Sequence, residues 1–213
     1  MSGPGEAATS GASDSSTEAP AERRFDYDRT VALSDGVFAI ALTLLVLNIS
    51  VPRLVPGGES LWHALAGNAG EVLSYAVSFA VIALFWTRHH SFFRVTRRVD
   101  GRLLALNLLY LGLVAFLPFP TRLLGLYGDR REAVAVYAVT ISLVSAVAIA
   151  MRVHARSAGL LEPGALPDPI WRLASVPLVF LVSIPIAFVS PTAAELSWLS
   201  IAVLERTARR RPA

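Results

Sequence analysis

The 213-residue chain has no cysteine and no lysine. Without thiols it forms no disulfide, supports no thiolate nucleophile and offers no cysteine-ligated metal site. All 19 basic residues are arginine. Charge of either sign is scarce, at 16% of the chain against roughly 25% in soluble domains. Hydrophobic residues make up 54% of it, and the mean hydropathy is +0.55. So large an apolar excess belongs against lipid rather than in one dry core.

Runs of roughly 17–25 apolar residues are long enough to span a bilayer as helices. They fall near 31–51, 66–87, 103–125, 133–151 and 171–190, with a shorter run at 192–204. The expected fold is an all-α integral membrane protein of six transmembrane helices, without a separate soluble domain. Residues 1–22, MSGPGEAATSGASDSSTEAPAE, carry almost no large apolar side chain and cannot offset their ordering entropy. They also lack the basic and apolar regions of a cleavable signal, so the first helix is expected to act as its own insertion signal. The expected division is a disordered cytoplasmic tail over 1–24, a six-helix domain over 25–205, and a basic cytoplasmic tail over 206–213.

Arginine placement sets the expected topology. Arg53, Arg122, Arg130 and Arg131 would lie on one side, and the remaining 15 of the 19 on the other. The positive-inside rule then puts both termini in the cytoplasm. An odd number of crossings would scramble this segregation, so the short last run is expected to cross. The Arg209-Arg210-Arg211 tail reads as a topology determinant or an anionic-lipid contact rather than a nucleic-acid patch.

Residues 29–51, RTVALSDGVFAIALTLLVLNISV, combine a membrane-length apolar run with Arg29, Ser34 and Asp35 at its start. An ionisable residue there is a functional-site hypothesis, because burying a charge in hydrocarbon is expensive. Ser34 and Asp35 are placed to cap the helix, or to join a network with neighbouring helices. At roughly 100° per residue, Leu33, Val37, Ile40, Leu44, Leu47 and Val51 share one stripe, with Thr43 about 60° from Ile40. Such a stripe suits packing or lipid contact, and it also suits an ion path that branched aliphatics gate by dewetting. Periodicity leaves both open. Gly36, Ala39 and Ala41 are small enough to let helices approach closely.

A second block, FWTRHHSFFRVTRRVDGRLLALNLLYLGLVAFLPFP at 85–120, places His89 and His90 just past the second run. Adjacent histidines do not share a helical face, which argues against a two-histidine metal site. A helix-end histidine commonly bonds a carboxylate, and Asp35 and Asp100 are the candidates. Pro118 and Pro120 interrupt the third run, so neighbours or water must satisfy freed carbonyls.

Arg29, Leu33, Ser34 and Asp35, followed by GVFAIALTLLVL, together with Trp86, His89, His90, Phe93, Arg94, Leu106 to Leu108 and Phe116 to Phe119, resemble the bacterial branch of the endosomal/lysosomal potassium channel family, transmembrane protein 175. The resemblance covers roughly residues 25–205. Leu33 stands where the family's first-helix motif has phenylalanine, a change that bears on packing and gating. The resemblance implies a homotetramer in the bacterial plasma membrane, in contact with lipid, each subunit's first helix lining a central pore for potassium. It implies that Ile40 is the hydrophobic constriction, Leu44 and Leu47 further pore-facing layers, and Thr43 with Ile40 the selectivity residues. Arg29, Ser34, Asp35 and one of His89 and His90 would form an interhelical network, with Trp86 packed against it. Neither a cofactor nor a nucleic-acid partner is implied.

GLYGD at 125–129 has the look of a potassium-filter signature, but the inserted Leu126 breaks a contiguous carbonyl ladder. A secondary transporter would show paired repeats with broken helices, and the two halves of this chain do not match. The apolar runs contain no convergent acid, base or ligand set for an enzyme. The expected function is a moderately potassium-selective channel, with a secondary transporter as the alternative.

Overall fold

The computed structural model describes residues 15–53, 58, 60–165 and 170–201, and every regular element among them is helical. Helix α1 (Ser15–Leu44) tightens into a 3-10 turn at Leu45–Asn48, and a short α2 (Leu61–Gly67) follows. Then come α3 (Ala69–Arg94), α4 (Gly101–Phe116), α5 (Pro118–Tyr127), α6 (Arg131–Ser157), α7 (Ile170–Ala187) and α8 (Pro191–Ser197). Four stretches are long and apolar enough to cross a membrane: Tyr27–Asn48, Ala69–Arg94, Gly101–Tyr127 and Arg131–Ser157. Helices suit that setting because every backbone N–H and C=O is satisfied within the segment.

The fifth expected run is α7, whose apolar part, Leu173–Ala187, is shorter than these four. The sixth begins as α8, and the expected tail at 206–213 lies outside the described residues, as do residues 1–14. Helix α1 reaches back to Ser15, so residues 15–24, expected to lack structure, are helical. Extending an existing helix avoids the unfavourable nucleation step, and the apolar run beyond Tyr27 supplies the seed. Ser34 and Asp35 therefore sit inside a continuous helix and do not cap it.

At the expected proline interruption, Leu117 keeps helical angles (φ −54°, ψ −33°), so α4 and α5 run on as one span. The Leu117 N–H takes the Val114 carbonyl at 3.1 Å, tightening the turn that Pro118 deprives of its usual donor. Gly125 to Tyr127 form the last turn of α5, so the GLYGD segment is a helix end and not an extended run of carbonyls.

Helix α6 packs against α4, α5 and α7, while α1 lies across α3 and α4. Phe38, Ile82, Phe85, Tyr110, Tyr137, Ile141 and Phe180 fill the shared core. Lipid is as apolar as these side chains, so close packing and interhelical hydrogen bonds hold such a bundle. Thr121 Oγ1 donates to Ser78 Oγ at 2.8 Å, and the Ser78 and Tyr137 hydroxyls lie 2.9 Å apart, joining α5, α3 and α6. Each such bond contributes about 0.6 kcal/mol on average in membrane proteins.

Two loops meet at the arginine-rich end. Thr96 and Leu161 form an antiparallel bridge, and the Arg97 N–H donates to Leu160 O at 2.8 Å. Asp100 caps α4 by accepting from the Leu103 N–H at 2.7 Å and takes His154 Nε2 at 2.9 Å. The backbone N–H first, and His154 with it, hold the Asp100 carboxyl below its ordinary range.

Candidate functional site

Helix α1 divides sharply by face. Thr30, Ser34, Phe38, Ala41 and Leu45 recur every three or four residues and are buried against the bundle. The opposite side is left bare by the helices of the described residues. Ile40 is 59% exposed, Leu44 42% and Leu47 69%, and Leu33 and Val51 are exposed with them. Val37, expected on the same stripe, is half-buried. Thr43 is exposed and its Oγ1 donates to the Ile40 carbonyl at 2.9 Å, which uses its proton and leaves the oxygen able to act as an acceptor. Gly36 has open space where a Cβ would stand.

The buried face is anchored by a hydrogen-bonded chain across three helices. Ser34 Oγ donates to Thr30 O at 2.8 Å and accepts from Asn107 Nδ2 at 3.1 Å. Asn107 Oδ1 lies 2.8 Å from His89 Nε2. With the amide oxygen accepting, His89 must carry its proton on Nε2, so the donors all run from α3 through α4 to α1. His89, Asn107 and Ser34 are all buried. The His89 ring stacks on Tyr110 at 5.3 Å and 7°, which fixes its orientation.

A carboxylate partner for His89 was the expectation, and the structure corrects it: the partner is the Asn107 amide. An uncharged acceptor avoids the desolvation cost of a buried carboxylate. Asp35 instead accepts from Trp86 Nε1 at 2.9 Å, and Trp86 stacks on His90 at 5.5 Å. The two histidines therefore reach α1 by separate routes, His89 through Asn107 and His90 through Trp86. Arg29 lies on the exposed side of α1.

A second anchor, at the other end of α1, was not read from the sequence. Asn48 Nδ2 donates to Pro118 O at 2.8 Å. The Ser50 N–H donates to Glu71 Oε2, and Asn68 Nδ2 donates to Ser50 O. Asn48 closing an apolar run opposite the proline-broken third run was the available signal. Among the described residues no group of three histidine, aspartate or glutamate side chains converges to hold a metal ion.

Comparisons with known proteins agree with this architecture. Residues 29–118, which hold both anchors' partners from Ser34 to Pro118, match the family described as the endosomal/lysosomal potassium channel TMEM175. The chain is 46% identical over 142 residues to a potassium channel of Streptomyces collinus, covering 66% of this chain and 68% of that one. It is 36% identical over 205 residues to a potassium channel of Chamaesiphon minutus, covering 87% and 92%. The crystal structure of a lysosomal potassium-selective channel TMEM175 homolog from Chamaesiphon minutus superimposes with a TM-score of 0.72 at 31% identity, covering 88% of this chain and 99% of that one.

Proposed function

Because this chain belongs to the TMEM175 family of potassium channels, a membrane-protein family rather than an enzyme family, we propose that it conducts potassium along the exposed face of α1. The observation that carries the proposal is that face itself. Ile40, Leu44 and Leu47 form an aliphatic stripe that no helix among the described residues covers, on a helix tied to the bundle at both ends. Four copies arranged as a homotetramer would bring four such stripes around one axis. Each subunit would cross the membrane six times, α7 and the segment that begins with α8 completing the set over residues 25–205. Both termini would lie in the cytoplasm of a bacterial cell, on the arginine-rich side of its plasma membrane.

In this arrangement the Ile40 ring is the narrowest point. A hydrated ion does not pass between branched aliphatics at close quarters, and a narrow apolar ring empties of water. Opening needs only a small dilation or rotation of the four helices. Aliphatic side chains cannot replace a hydration shell, so preference for potassium over sodium is moderate, with Thr43 hydroxyl oxygens supplying part of the missing coordination. The Ser34–Asn107–His89 chain and the Asp35–Trp86 pair set the orientation of α1 and do not touch the ion. Arg29 joins this network at its cytoplasmic edge.

Purified protein reconstituted in liposomes with asymmetric potassium and sodium tests the proposal. A passive potassium-preferring conductance is expected. Uptake that requires a second coupled solute, with no conductance, would instead make the chain a secondary transporter.

A further inference from the structure

A cavity of about 450 Å³ opens where α3, α5 and α8 meet, and no residue of α1 lines it. On α3 its wall is the face from Gly70 to Val77, at the end of the bundle opposite the arginine-rich junction that follows Arg94. Its volume falls within the roughly 300–1,000 Å³ of small-molecule sites, which are mostly apolar with a few well-placed polar groups. Leu73, Val77, Leu196 and Leu199 supply apolar walls. Three of these, Leu73, Leu196 and Leu199, are exposed, so the rim itself is apolar.

Two carboxylates line the same cavity, and they differ. Asp129 is compensated, its Oδ2 standing 3.7 Å from Arg130 Nε. Glu195 is half-buried, and among the described residues no ion pair or hydrogen bond engages its carboxylate. Its Oε1 stands where a Cβ on Gly128 would come within 2.9 Å, so the carboxylate rests against the bare backbone of a residue that also lines the cavity. A partly desolvated charge without a partner is costly, and a cation brought by a ligand offsets that cost. A metal ion fits poorly. Calcium takes roughly 6–8 oxygen ligands, and among the described residues no three acidic or histidine side chains converge.

We propose that this cavity binds an organic ammonium with an apolar body, its N–H groups donating to the Glu195 carboxylate and its hydrocarbon part lying along the leucines. Hydrogen bonds between an ammonium and a carboxylate are charge-assisted and roughly twice as strong as neutral ones. An alcohol of the same shape donates a single bond without the opposite charge. A carboxylate of the same shape is repelled by Glu195. The site does not depend on ion conduction, and its test reads binding alone.

Tritiated 4-phenylbutylammonium is bound to the purified full-length protein in phosphatidylcholine nanodiscs, with empty nanodiscs subtracted, and competed with 4-phenylbutanol and 4-phenylbutanoate. The ammonium is expected to bind about tenfold more tightly than the alcohol, and the carboxylate more weakly than either. Glu195→Gln, which keeps the shape of the side chain, should weaken the ammonium about tenfold and leave the alcohol unchanged. Leu73→Trp, at an exposed wall position, should fill the cavity and weaken both. Equal binding of the ammonium and the alcohol, tighter binding of the alcohol, or ammonium binding untouched by Glu195→Gln overturns the proposal. Ammonium binding lost in Glu195→Gln but untouched by Leu73→Trp moves the cation out of the cavity and overturns it as well.

Discussion

Asn107 and Ser34 stand 73 positions apart in the sequence, and the amide of one donates to the hydroxyl of the other at 3.1 Å in a fully buried setting. That bond joins the face of α1 turned inward to the middle of the bundle, and through Asn107 to His89. Removing its centre should therefore be felt at three helices. Asn107→Ala strands the His89 donor and the Ser34 acceptor, and is expected to cost about 1–3 kcal/mol. Ser34→Ala costs less, because Asn107 keeps its bond to His89. Thermal melting of the purified protein ranks the two, and their double mutant should show clear non-additivity.

Gly125 and Gly36 make a contrasting pair. A Cβ on Gly125 would meet Ser74 Oγ at 2.7 Å and the Glu71 backbone at 3.1 Å, whereas one on Gly36 meets nothing within 4 Å. Gly125→Ala should destabilise by about 1–3 kcal/mol through overpacking, and it presses on the turn of α3 whose Glu71 holds Ser50. Gly36→Leu should leave the melting temperature of the single subunit unchanged. If α1 faces its counterparts around a pore, that same substitution should disturb assembly, read as the mass of the complex in detergent. A native mass for Gly36→Leu would argue against close α1–α1 approach.

Asp100→Asn tests the loop junction, since asparagine also caps helices and only the charge is lost. The folded carboxyl is held below its ordinary value, so its contribution is present above the carboxylate range near pH 4 and fades as pH falls through the folded value. Wild type should be more stable than Asp100→Asn at neutral pH, and the two melting curves should converge in acid. A difference that stays constant down to pH 3 would show that the charge is not what matters.

Trp86→Phe removes the N–H that Asp35 accepts while keeping an aromatic ring to stack on His90. Opening probability in planar bilayers is expected to change with little effect on single-channel conductance, and Asp35→Ala should act in the same direction. A changed unitary conductance with normal opening would place this pair on the ion path instead.

The periodic part of this architecture was legible from residues alone. Ile40, Leu44 and Leu47 fall on one stripe because helical spacing demands it, and the stripe is the bare face of α1. The interhelical ties were less so. Ser34 and Asp35 look like capping residues when the helix is taken to start at the apolar run, and the helical stretch from Ser15 is too polar to announce itself. Asn107 was visible as a lone amide in an apolar run, but its partners on α1 and α3 follow from packing that no local pattern encodes. The same holds for Asn48 with Pro118 and Glu71 with Ser50. The choice between His89 and His90 depended on which one faced Asn107, a matter of about 100° of helix rotation.

The central claim is that the Ile40 ring bounds a potassium path, and single-channel recording of Ile40→Asn in bilayers with potassium on one side and sodium on the other tests it most directly. An amide in place of the branched aliphatic should wet and widen the constriction. The predicted result is a larger unitary conductance, with the reversal potential moved toward zero as preference for potassium is lost. Conductance and reversal potential identical to those of the unmodified protein would contradict the account and move the ion path away from the exposed face of α1.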